Sequence, residues 1–86
     1  MPQVRRLFLD SAFDADTVKM MGEVFEAAWR MVEPAFNLQP QATIDDGRAT
    51  LAKAIIHFVS QGMLNTDVLT DEAIRAVKLT NPSLPF

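Results

Sequence analysis

Three short patterns mark helix ends in this chain, and they leave room for little besides an all-α fold. Phe13-Asp14 opens one helix, Gly62-Met63 closes a second, and Leu69-Thr70 opens a third. Asp14 suits an N-cap because its carboxylate can accept bonds from the backbone N–H groups that an α-helix leaves free at its start. Phe13 precedes that cap and Val18 follows it by four positions, which is hydrophobic-staple spacing. Gly62 can take the left-handed conformation that ends a helix, and Met63 then falls where a closing contact with Phe58 belongs. Leu69 and Ile74 repeat the staple spacing around Thr70.

These marks define three main helices. The first is expected from about Ala15 to Val32, with Glu26 and Arg30 at a favourable (i, i+4) spacing and Pro34 favouring termination. Residues 34–43 read as a linker whose Phe36 and Leu38 tuck against the core. The second helix begins between Ile44 and Arg48, with Thr43, Asp45 and Asp46 as competing caps, and ends near Gln61. The third spans Asp71 to Leu79 with Thr70 as cap, and an extra turn around Asn65 or Thr66 is compatible with the pattern. Residues 1–12 form an extended N-terminal arm, and residues 80–86 form a non-helical tail with two prolines. The whole of residues 1–86 is read as one helical domain, a small bundle.

Composition agrees with that reading. The chain has 86 residues, 49% of them hydrophobic, which is enough apolar material for one core. It has no cysteine, so neither a disulfide nor a thiolate metal site can staple it. The apolar run Leu7-Phe8-Leu9 is too short for a signal-peptide core, and no stretch approaches the roughly 18 apolar residues of a spanning helix. A soluble cytoplasmic protein without membrane contact is expected. The net charge of −3 argues against a broad phosphate-binding surface. The adjacent pair Arg5-Arg6 reads as a solvated arm.

Placing residues at 100° intervals separates two faces on the first helix. Val18, Met21, Phe25, Ala28, Trp29 and Val32 form the core stripe. Met20, Val24, Ala27 and Met31 form a second, adjoining stripe, so the apolar arc covers roughly 220° where ~100° suffices for a surface helix. Two covers suit the second stripe. One is internal, from Val4, Leu7, Leu9, the linker or the tail. The other is a partner or a second copy of the chain, which makes Met20, Val24, Ala27 and Met31 the candidate interaction face. The second helix has an ordinary core stripe of Leu51, Ala54, Ile55, Phe58 and Val59, with Lys53, His57 and Ser60 opposite.

No pattern for chemistry matches these structural marks in clarity. His57 is the only histidine, so a metal site there would need distant carboxylates. Ser60 shares its face without any oxyanion-forming motif. Asp14 and Asp16 lack the later ligands and glycine of a calcium loop. Asp45-Asp46 reads as a helix start, and Gly47 belongs to no phosphate-binding pattern. No cofactor, metal or catalytic residue is expected. A helix-turn-helix around Gly62 would offer only Arg75 and Lys78 as bases, with Asp71 and Glu72 where base-reading side chains usually lie. Pro82-Ser83-Leu84-Pro85 fits the PxxP spacing and reads more simply as tail.

The segments FDADTVKMMGEVFEAAW, RATLAKAIIHFVSQGM and LTDEAI resemble a family of short uncharacterised bacterial helical proteins. The resemblance rests on Phe13-Asp14, Ala28-Trp29, Leu51-Ala52 with Ile55, Gly62, Leu69 and Ala73-Ile74, across roughly residues 8–77. The chain departs from that family at Met63-Leu64, where members carry a charged run. The resemblance implies a compact helical fold and supplies no activity. The expected function is therefore a small non-catalytic protein-interaction module, in its specific form a homodimer through the first helix. A nucleic-acid-associated helical regulator is the alternative, and an enzyme of unrecognised class ranks last.

Overall fold

The computed structural model describes residues 13–86, and three helices stand among these described residues. They are α1 (Ala15–Phe36), α2 (Gln41–Ser60) and α3 (Thr66–Thr80), and each packs against the other two. This is the expected small all-α bundle. The proposed N-terminal arm, with Val4, Arg5, Arg6, Leu7 and Leu9, lies outside the described residues.

The start of α1 follows the sequence. Thr17 N–H donates to the Asp14 carboxylate at 2.7 Å, and Phe13 and Val18 both pack on the core. Hydrogen bonding from Thr17, chiefly its backbone N–H, holds the Asp14 carboxyl below its ordinary range. The core stripe also has the expected phase: Val18, Met21, Phe25, Ala28, Trp29 and Val32 are all buried.

The end of α1 differs. The helix does not stop before Pro34 but runs through it to Phe36. Proline removes the bond to the Arg30 carbonyl and clashes with it, at a cost of about 3 kcal/mol. Burying Phe36 recovers about 1.5–3 kcal/mol. Its ring lies 5.2 Å from that of Trp29, and such aromatic pairs add about 0.5–1.5 kcal/mol. Ala35 is buried as well, so packing outweighs the proline.

The linker shrinks accordingly to Asn37–Pro40. Leu38 does not tuck in but is 96% exposed. Helix α2 starts at Gln41, before any of the three expected caps, and Pro40 stands at its N-cap without a side-chain cap bond. Thr43, Asp45 and Asp46 are interior residues of this helix, and Asp45 accepts a 2.9 Å bond from the Gln41 side chain. Gly47 explains part of this placement. A Cβ there would lie 2.7 Å from the Phe36 ring, so the glycine lets α2 pass over that ring.

The end of α2 is a two-bond closure. Gly62 has a φ of 90°, Gly62 N–H donates to the Val59 carbonyl at 2.9 Å, and Met63 N–H donates to the Phe58 carbonyl at 3.0 Å. This is the Schellman pattern, with Met63 and Phe58 both against the core.

Helix α3 begins a turn earlier than Thr70. Asn65 is the cap, its side-chain oxygen accepting from Asp67 N–H at 3.0 Å and Val68 N–H at 3.1 Å. Thr70 lies inside the helix and donates to the Thr66 carbonyl. Leu69 and Ile74 are both buried, as members of the core stripe with Ala73 and Val77. After Thr80 the tail folds back. Leu84 packs on the core, and the Phe86 ring meets Phe36 edge-on at 6.1 Å.

Candidate functional site

Helix α1 carries more apolar surface than the bundle covers. Its buried residues, from Val24 round to Trp29, occupy an arc of about 140° at 100° per residue. Beyond one edge of that arc stand Met20, Ala27 and Met31. Met20 is half-buried and packs against the core, Ala27 is exposed, and Met31 is 67% exposed. Val24 departs from the expected open stripe. It is only 3% exposed and belongs to the core, because its direction falls inside the arc that α2 and α3 cover. The candidate face therefore reduces to Ala27, Met31 and the rim of Met20, with Val24 beneath them. Glu23 and Arg30 stand exposed along its polar edge.

Other exposed apolar residues are more scattered. On α3, Val68 and Leu79 share a direction, but Glu72 and Arg75 lie between them on the same side. Isolated surface leucines and valines are normal on folded proteins.

The residues considered for chemistry are engaged locally. Ser60 Oγ donates to the His57 carbonyl at 2.7 Å, not to the imidazole, and Gln61 Nε2 lies 3.2 Å from His57 Nε2. Among the described residues, no three His, Cys, Asp or Glu side chains gather as a metal site would require. Arg75 and Lys78 are exposed on α3, with the Lys78 ammonium 6.0 Å from the Phe86 ring centre. Arg5 and Arg6, which a basic surface would need beside them, lie outside the described residues. Among the described residues, no helix is long and apolar enough to cross a membrane.

One feature escaped the sequence reading. The Arg48 guanidinium lies over the Trp29 ring, 5.0 Å from its centre, at the wall of an open groove of about 280 Å³. Glu33 and Gln41 also line the groove. Trp29 Nε1 and Arg48 Nε are buried there without a hydrogen-bond partner among the described residues. The pairing joins the last turns of α1 to the first turns of α2, so it depended on α1 continuing past Pro34. With that stop in the expected place, Trp29 and Arg48 had no reason to meet. The groove offers hydrogen-bond donors and one carboxylate, that of Glu33.

The chain matches no protein-family model, and neither the curated proteins nor the solved structures gave a significant match.

Proposed function

We propose that this chain is a small non-catalytic interaction module that self-associates through the flank of α1 that the other described residues leave open. The observation behind this reading is that Met31 is 67% exposed next to Ala27, on a helix whose core face is already filled. Methionine suits such a surface, since its unbranched thioether adapts to different neighbours. The flank is narrow, well below the ~800 Å² per partner of a standard stable interface. Association is therefore weak and depends on concentration.

Sedimentation or light scattering up to millimolar protein tests this. The expected result is a mass that rises with concentration, and a Met31→Asp variant that stays monomeric with an unchanged circular dichroism spectrum. A wild-type mass that remains that of a monomer throughout overturns the reading.

A further inference from the structure

We propose that the groove between the end of α1 and the start of α2 binds a small monocarboxylate with an apolar body. The site uses other residues than the Met31 flank and does not depend on self-association. It is built from hydrogen-bond donors that the described fold brings together and leaves unspent.

Two of these donors are on side chains. Trp29 is 5% exposed, and its indole N–H has no acceptor among the described residues. Arg48 Nε is buried without one as well, and its guanidinium lies 5.0 Å from the centre of the Trp29 ring. Buried N–H groups are nearly always paired, so two of them on the walls of one groove call for an acceptor. The other donors are backbone. Pro40 stands at the N-cap of α2 and has no side-chain acceptor to offer. Thr43 and Ile44 N–H donate to its carbonyl at 3.0 and 3.1 Å. The N–H groups of Gln41 and Ala42 are left without a capping side chain, at the positive end of a 20-residue helix. Gln41, Ile44 and Arg48 follow one another in steps of three and four, and all three line the groove. The start of α2 and the guanidinium therefore share one face.

The remaining walls select the anion. A guanidinium fork matches a carboxylate with two parallel hydrogen bonds. Glu33 also lines the groove, and Asp45 stands near the start of α2, where it accepts a 2.9 Å bond from the Gln41 side chain. These two negative charges disfavour a doubly charged anion such as phosphate. Phe36 and Ile44 supply apolar wall, and a volume of about 280 Å³ admits a body of a few carbons. Trp29 Nε1 and Arg48 Nε are screened from solvent, so an anion meets them as the Arg48 side chain shifts. Its stem is long and flexible, and the shift changes the contact on the Trp29 ring.

The test uses the full-length chain and isovalerate at constant ionic strength. Trp29 is the only tryptophan, so its indole N–H gives a single peak in nitrogen–proton NMR spectra. Isovalerate should move that peak downfield to saturation in the millimolar range. Its uncharged isostere isovaleramide should leave the peak in place. Arg48→Lys keeps the charge but loses the fork, and should weaken binding about fivefold or more. Glu33→Gln removes a repelling charge and should tighten binding about twofold. Glu33 is exposed, so this variant keeps its fold and tests the site even if Arg48→Lys unfolds. A peak that stays still with isovalerate, or moves as far with isovaleramide, overturns the proposal. Binding that Glu33→Gln and a folded Arg48→Lys both leave unchanged overturns it too. Phosphate binding more tightly than isovalerate overturns the choice of a monocarboxylate.

Discussion

The two connections between helices are built on opposite principles. Between α2 and α3, residues near Gly62 and Asn65 satisfy the backbone at each helix end. Between α1 and α2, a proline sits inside one helix and another caps the next without a side-chain bond. What holds that second corner is packing: Phe36 is 1% exposed between Trp29, Phe86 and the bare backbone of Gly47. One corner is fixed by local hydrogen bonds and the other by contacts distant in sequence. Substitutions in the two should therefore differ in size and in how far their effects spread.

Phe36→Ala carries the largest expected effect, a loss of about 3–5 kcal/mol in urea unfolding. It also removes the ring on which Trp29 and Phe86 rest, so Trp29 fluorescence should change in the native baseline. A loss below about 1 kcal/mol would mean that the α1–α2 corner is held by something other than this ring. Gly47→Ala comes next. Alanine favours a helix interior by about 1 kcal/mol over glycine, but overpacking costs about 1–3 kcal/mol. The Phe36 ring is confined by its neighbours, so a net loss of about 1–2 kcal/mol is expected. A net gain would show that the ring yields freely.

The same contrast explains what could be read from the sequence. Asp14 and Gly62 act through bonds within a few residues of themselves, and the sequence contains all that decides them. Pro34 could not be judged that way. Its local preference is to end the helix, and it loses to the burial of Phe36 against residues from the next helix and the tail. Thr70 illustrates a different difficulty. It has valid cap chemistry, but Asn65 offers a better acceptor, reached by two N–H groups, one turn earlier. The candidate face was half legible for a similar reason. Helical spacing identifies the excess apolar arc, but which edge of it lies under α2 and α3 depends on how the helices cross. That crossing puts Val24 inside and leaves Met31 out.

Gly62→Ala probes the locally determined corner. Nothing lies within 4 Å of the added Cβ, so its cost is confined to the backbone at a φ of 90°. A loss of about 1 kcal/mol is expected, with the Trp29 fluorescence of the native state unchanged. If Trp29 did respond, the two corners would be coupled, and the division between local and packed connections would fail.

The smallest effect, at the start of α1, separates charge from shape. Asp14 is held below its ordinary carboxylate pKa by its bonds from Thr17. A depressed folded value means that the folded chain binds its proton less readily than the unfolded chain. The contribution is therefore fully present above the unfolded pKa. It falls away as the pH drops through that value toward the lower folded one. Asp14→Asn keeps an oxygen acceptor for the Thr17 N–H but has no proton to gain. Thermal unfolding of both chains from neutral pH down through the carboxylate range should show the variant less stable at neutral pH. The gap should narrow as the pH falls. A constant gap would mean that Asp14 acts only through the shape of its cap, and that its negative charge beside the positive end of α1 contributes nothing measurable.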